Sequence, residues 1–304
     1  MKDKVITVIG SINFDIIFKQ QRLAAIGETY SAEHMSVAGG GKGANQAVQC
    51  AKLGVPTYLV GSTGKDVMGD QLLQELKSYG VNTDYVARVN ETTGVGVVNA
   101  LEDGSLMATI SKGANYTMTK ERIDAIESLL KRSSIVILQL EVPVEVVEYC
   151  IHRAHELGCY VILNAAPAAA ISADALAKVN CLVVNEPEAS FYCGQEIDDL
   201  ESALKYGREL YNKTGELLII TLGSKGSVLF NDASNIHIEA RPVHAIETTG
   251  AGDSFIGALA YQLLLDTEIT AAAEFATRAA AITVTRIGAQ PAMPTLEELA
   301  APRS

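Results

Sequence analysis

The 304 residues are 48% hydrophobic and 20% charged with no tryptophan, a composition that fits a globular enzyme and excludes a disordered chain. Lys and Arg number 24 against 36 Asp and Glu, a net charge of −12, which argues against nucleic acid as partner. It leaves open a phosphorylated small molecule, which backbone N–H groups and metal ions hold even on acidic proteins.

In chain order, VITVIG (5–10) reads as a buried first strand ending in glycine. Comparable apolar runs follow at 58–61, 134–140, 160–164, 181–185 and 217–223. Helix-period segments fall between or after them, at 43–53, 66–79, 119–131, 144–157, 198–213, 254–266 and 270–285. This alternation predicts an α/β fold with a mostly parallel sheet covered by helices on both faces. Residues 14–37 and 92–110 break the rhythm: both are β-rich without helices, and EDGS (102–105) reads as a hairpin turn. They are expected to form a small separate sheet serving as a flap or an oligomer contact. The length allows two domains of about 150 residues, but one α/β domain of this size is ordinary. No stretch approaches eighteen apolar residues and the N-terminal apolar run is too short for a signal peptide, so a cytoplasmic protein is expected. Five cysteines without a C-x-x-C pair read as reduced thiols, in keeping with that compartment.

Polar residues cluster just after strand ends, where ligands of open α/β sheets bind: Gly10 to Asn13, Gln139 to Glu141, Asn164, Asn185 and Thr221 to Gly226. AGGGKGANQA (38–47) precedes a helix and lets a ligand approach the backbone, or is simply a glycine-rich turn. It is not a P-loop, because Lys42 is followed by Gly43 rather than Ser or Thr, and no G-x-G-x-x-G follows the first strand. NEPEAS (185–190) places Asn185 and Glu188 on one side of a first helical turn, as a capping pair or as holders of water around Mg²⁺. TLGSKG (221–226) ends a buried strand with backbone N–H groups and Lys225, suited to phosphates or to a turn. ETTGAGDSF (247–255) puts two glycines and Asp253 in front of a long apolar helix. The aspartate there is a cap, or a base beside an anion site made by exposed N–H groups. His152 and His155 have no third ligand nearby, and no Ser/His/Asp pattern supports acyl transfer.

Taken in order, GSINFD (10–15), GGKGANQAV (40–48), STGKDVMGD (62–70), TTGV (92–95), GAN (113–115), LQLEVP (138–143), NEPE, TLGSKG, TTGAGD and TRIGAQP (285–291) resemble the ribokinase, or PfkB, family of carbohydrate kinases over nearly the entire chain. The resemblance implies a three-layer α/β sandwich, a single domain over 1–304, with a β lid from about 14–37 and 92–110 that covers the sugar and pairs two subunits. It implies transfer of the γ-phosphoryl group of ATP to a sugar hydroxyl. The 5-hydroxyl of D-ribose is the leading acceptor, with deoxyribose, fructose or a nucleoside as alternatives. A non-catalytic sugar sensor on the same fold is a further alternative, against which intact Asp253 and its glycines argue.

By the same resemblance Asp253 takes the acceptor proton, and the N–H groups of Gly250, Ala251 and Gly252 form the anion hole. Asn13, Asp15, Gly41, Lys42, Asn45 and Glu141 match sugar contacts. Asn185 and Glu188 match the Mg²⁺/phosphate motif, while Thr221, Gly223, Ser224, Lys225, Gly226 and Thr277 match nucleotide contacts. A monovalent cation, usually K⁺, would lie near Glu247, Thr249, Thr283, Arg286, Gly288 and Ala292. Glu247 stands where the family usually has Asp, and Ala292 where it often has Ser, changes that bear on K⁺ dependence. LNAAPA (163–168) and the GAG of the anion hole also depart from common family forms, which bears on the assignment to ribose.

Overall fold

A computed structural model describes residues 3–102 and 106–301. The described strands are β1 (Ile6–Ile9), β2 (Asn13–Gln20), β3 (His34–Gly40), β4 (Thr57–Gly64), β5 (Asn82–Val89), β6 (Gly94–Leu101), β7 (Leu106–Ser111), β8 (Ile135–Leu138), β9 (Tyr160–Asn164), β10 (Cys181–Val184), β11 (Leu217–Thr221), β12 (Ser227–Phe230) and β13 (Asn235–Ile238). The helices are α1 (Lys42–Lys52), α2 (Val67–Ser78), α3 (Lys120–Ala125), α4 (Glu127–Arg132), α5 (Val144–Glu156), α6 (Ala173–Leu176), α7 (Glu186–Cys193), α8 (Leu200–Tyr211), α9 (Ala251–Leu264), α10 (Ile269–Thr283) and α11 (Leu296–Ala300).

Nine strands form one sheet in the order β13-β12-β11-β10-β9-β8-β1-β4-β5. Pairing is parallel from β11 through β5, and antiparallel where β12 and β13 fold back on the edge. The strands alternate between two apolar clusters. Val136, Leu138, Leu182 and Val184 enter the one packed by α3 to α8, whereas Ile135, Ile137, Cys181 and Val183 enter the one packed by α1, α2 and α9 to α11. Burial on both faces explains why these strands read as unbroken apolar runs. Each fully buried aliphatic side chain contributes about 1.5–3 kcal/mol by leaving water.

A second, four-stranded sheet has the order β3-β2-β6-β7, with β2 and β6 parallel and the outer pairs antiparallel. It is built from the two β-rich segments that interrupt the α/β rhythm. The expected turn at 102–105 lies, beyond Glu102, outside the described residues.

Three details depart from the sequence expectation. The helix expected over 119–131 is two short helices, broken at buried Ile126 so that Ile123, Leu129 and Leu130 reach the same core. Strands β5, β12 and β13 and helices α6 and α11 fall outside the expected elements, because each is short or mixes polar residues into the run. Helix α9 starts at Ala251 rather than 254, since Gly250 takes a left-handed conformation (φ 78°) and turns the chain into the helix three residues early.

Candidate active site

Asp253 stands in the first turn of α9. Gly250 is needed there twice over: its φ suits glycine, and a Cβ would stand 2.8 Å from that of Ala289. One helical turn beyond Asp253, a Cβ on Gly257 would stand 2.6 Å from that of Gln49. The missing side chain lets α9 and α1 approach closely, and this brings Asp253 against the first turns of α1. Its two carboxylate oxygens accept from Asn45 Nδ2 and Gln46 Nε2, each at 2.9 Å. Beside it Gly252 has open space where a Cβ would project, so a ligand can reach the backbone. Of the three N–H groups expected in the anion hole, that of Ala251 is directed to the Thr248 carbonyl at 3.3 Å.

The expected sugar contacts converge on the same place. Glu141, just after β8, accepts from the Lys42 backbone N–H at 3.0 Å and from the Ser11 hydroxyl at 2.5 Å. Asn13 is buried and its Oδ1 accepts from Asn115 Nδ2 at 2.7 Å. Gly41 has φ 88°, and a Cβ there would press on the Asn13 backbone N–H at 2.8 Å. Asp15 lies between Gly40 and Gly96: a Cβ on either would overlap its carboxylate, so these glycines form the walls of its pocket.

Gathering carboxylates in a half-dry site shifts their proton affinities. Burial first, then the charges of Glu141 and Asp253, push the Asp15 carboxyl up to about 6. Burial likewise raises that of Asp253, against the opposing pull of Lys42 and the Asn45 and Gln46 amides, with Glu141 adding to the rise. Burial raises that of Glu188, opposed by the Asn185 backbone N–H and Lys42. For Lys42 burial pulls downward, but the carboxylates of Asp253, Glu141 and Glu188 together raise its ammonium above the ordinary lysine value. Lys42 is thus the cation at the centre of the carboxylate cluster.

On the other side of the α9 N-terminus opens a cavity of about 540 Å³, lined by Thr221, Gly223, Ser224, Gly226, Thr277, Thr248, Ala251 and Gly252 among others. Its size suits a nucleotide-sized molecule. Gly226 has φ 91° and a Cβ there would overlap the Ile238 carbonyl, so the turn that shapes the wall tolerates only glycine. Lys225 departs from the expected grouping. Its Nζ donates to the Asp198 carbonyl at 2.6 Å, and its side chain lines a separate open depression with Asp199, Glu201 and His237.

Asn185 and Glu188 form a reciprocal capping box at the start of α7, with Glu188 Oε2 accepting from the Asn185 backbone N–H at 2.9 Å and Asn185 Oδ1 from that of Glu188 at 3.0 Å. The capping alternative therefore holds, yet buried Glu188 still shares the electrostatic field of Lys42 and Asp253. Among the described residues no cluster of three or more His, Cys, Asp or Glu is placed to hold a metal ion. A lone carboxylate fits Mg²⁺ in its usual manner, held mostly by phosphates and water.

The six positions matched to a monovalent cation are only partly equipped for it. Glu247 Oε2 accepts from the Gly288 backbone N–H at 2.9 Å. The Thr283 hydroxyl instead faces Ser254 Oγ at 2.8 Å and the Ala279 carbonyl at 3.0 Å, and the Arg286 guanidinium goes to Glu298 at 2.6 Å. Ala292 is buried and has no side-chain oxygen, and Thr249 is exposed. Among the six positions Glu247 supplies the one carboxylate and Thr249 an exposed hydroxyl.

Gln46, Asn115 and Gln290 belong to the site although none was among the expected contacts; each lies inside a segment that resembles the family, GGKGANQAV, GAN and TRIGAQP. For Gln46 a signal existed: positions 42, 45 and 46 share one face of a helix.

These features have counterparts in known proteins. The model of the pfkB family of carbohydrate kinases matches residues 3–296. The chain is 33% identical to a ribokinase of Haemophilus influenzae, with 97% of each chain covered. It is 35% identical to a deoxyribokinase of Salmonella typhi, with 96% of each covered. The solved structure of Arabidopsis thaliana ribokinase complexed with ribose and ATP matches with a TM-score of 0.90 at 33% identity, over 98% of both chains. A full-length family match, relatives above 30% identity and the same arrangement of strands and helices agree: the chain belongs to the pfkB family of carbohydrate kinases.

Proposed function

We propose that this protein transfers the γ-phosphoryl group of ATP to the 5-hydroxyl of D-ribose. The observation that carries the reading is the position of Asp253. It lies in the first turn of α9, with the carboxylate and amide cluster on one side and the nucleotide-sized cavity, lined by Ala251 and Gly252, on the other. A ribokinase with ribose and ATP bound is closely similar over the whole chain, which supports both substrates.

Phosphoryl transfer asks mainly for in-line positioning and stabilisation of charge on the moving group. Asp15 and Asn13 offer fixed acceptors and donors to a polyol. Asp253 accepts the proton of the attacking hydroxyl, a role worth about 10²–10⁴ in rate. The Gly252 N–H at the helix mouth, Lys42 and the α9 dipole oppose the negative charge that builds on the transferring group. Glu188 and Asn185 would hold Mg²⁺ through water; when bound, the ion neutralises phosphate charge. Glu247 with carbonyls of the 284–288 turn would hold K⁺.

The chain reads as one domain whose small sheet is a lid over the sugar. Exposed Met35, Val37 and Met107 share the lid face opposite Asp15, by the strand register, and offer an apolar surface for a second copy in a homodimer. Among the described residues no helix is long and apolar enough to cross a membrane, in keeping with work on small cytoplasmic metabolites.

The test is ADP release from Mg-ATP across ribose, deoxyribose, fructose and nucleosides, each in Na⁺ and in K⁺. Ribose-dependent turnover is expected, at a kcat/KM well above that for the others. Turnover with another acceptor alone would keep the mechanism and refute the substrate, and binding without turnover would favour a sugar sensor. Asp253→Asn should lower kcat by at least about 10² while sugar and ATP binding stay within a few fold.

A further inference from the structure

Gln46 has no part in the reaction as set out above, yet it sits directly behind the base. Its Nε2 donates to Asp253 Oδ1 at 2.9 Å and to Asn164 Oδ1 at 3.1 Å. An ionised carboxylate can only accept, and Asn164 turns its own amide nitrogen to the Val183 carbonyl at 3.4 Å, so both partners present oxygen to Gln46. The orientation of the Gln46 amide is therefore determined. Its Oε1 must then face a donor, and Gln139 Nε2 supplies it at 2.6 Å. Flipping Gln139 would set two amide oxygens against each other. In the orientation it takes, the far oxygen of Gln139 is buried with no hydrogen-bond partner among the described residues, pressed against Gly10 where a Cβ would overlap it. Leaving an acceptor unpaired is unfavourable, and it sits at the end of the chain remote from Asp253. The other carboxylate oxygen is held in the same way, by Asn45 Nδ2, whose Oδ1 accepts from Gln290 Nε2 at 3.0 Å.

We infer that Gln46, oriented by Gln139 and Asn164, is a positioning residue that fixes the plane of the Asp253 carboxylate and stabilises its ionised form. The inference rests on the reading of Asp253 as the base. Asp253 needs such support because of the charges around it: Lys42 of α1 favours its ionisation, while Glu141 after β8, Asp15 on β2 and Glu188 on α7 oppose it. A second lysine would supply the same stabilisation, but it would also bind the substrate phosphates. A neutral amide acts on the carboxylate alone, through one directed hydrogen bond.

The test uses Gln46→Met, which keeps the length and removes all three side-chain hydrogen bonds, and Gln46→Glu, which keeps the shape and sets a carboxylate against a carboxylate. In the ligand-free protein, a carbon-13 carboxyl titration, with the Asp253 signal assigned through Asp253→Asn, reads the base directly. The Asp253 midpoint should rise by about one pH unit in Gln46→Met and further in Gln46→Glu. In turnover, the acidic limb of kcat/KM should move by the same amount and plateau kcat fall about tenfold, with KM for sugar and ATP within about threefold. An Asp253 midpoint unchanged in a folded variant overturns the inference, even if activity is lost, since that loss would then be structural. Should Gln46→Met not fold, Gln46→Glu decides alone. A wild-type protein inactive on every acceptor would strike the kinase reading, and the carbon-13 midpoint would still decide the role of Gln46.

Discussion

Asp15→Asn should make the ligand-free protein more stable while weakening its grip on sugar. The Asp15 carboxyl is pushed up to about 6 from its ordinary 3.8, by burial and by Glu141 and Asp253. At about 1.36 kcal/mol for each tenfold change in proton affinity, holding this carboxylate ionised in the folded state costs about 3 kcal/mol at neutral pH. Partial solvent access to the side chain brings the expectation to about 2–3 kcal/mol. The sign is the reverse of a salt-bridged aspartate. With the folded value above the unfolded one, the unfolded chain binds fewer protons between the two, so the penalty is full above pH 7 and fades as pH falls through 6 towards 3.8. Asn has the same shape and fits the space left by Gly40 and Gly96. Urea unfolding of both proteins at pH 7.5 and pH 5.0, without ligand, measures the difference. The variant should be more stable by about 2–3 kcal/mol at pH 7.5 and by about half that at pH 5.0. Equal stability at pH 7.5, or a gain that does not change with pH, would refute the electrostatic account. Sugar affinity should fall at least about tenfold at pH 7.5, because the site's strain serves binding.

Gly96→Ala would drive a methyl group into the Asp15 carboxylate, so the KM for sugar should rise at least about tenfold with the KM for ATP little changed; steady-state kinetics in each substrate separates the two. Lys225→Ala removes a side chain directed at the Asp198 carbonyl and away from the cavity, so ATP affinity by calorimetry should change less than about threefold; a larger loss would place Lys225 on the phosphates. Met35→Lys combined with Val37→Lys puts two charges on the exposed apolar face of the small sheet, and light scattering should show a dimer becoming a monomer; a wild type already monomeric would refute the proposed use of that face.

The succession of apolar runs and helix-period segments was enough to predict a parallel sheet between helix layers, because burial on both faces leaves a strand no polar positions. The small second sheet was legible for the converse reason, as β-rich stretches with no helix between them. Family motifs picked out Asn13, Asp15, Lys42, Asn45, Glu141 and Asp253, and the structure brings them together. The two readings of NEPEAS could not be separated in sequence, since the spacing that makes a capping box is also the spacing that places a carboxylate at a helix mouth. The direction of Lys225 was not legible, because a side chain several bonds long can point either way from the turn that carries it. The partners of Asp253 were least legible of all. Gln46 and Asp253 are 207 positions apart, and their contact depends on how closely α1 and α9 pack across Gly257. Residue types and their local spacing determined the elements and the chemistry on offer. Which groups share a hydrogen bond, and so which carboxylate is held ready to accept a proton, was decided only by tertiary packing, because it depends on ångström distances between segments remote in the chain.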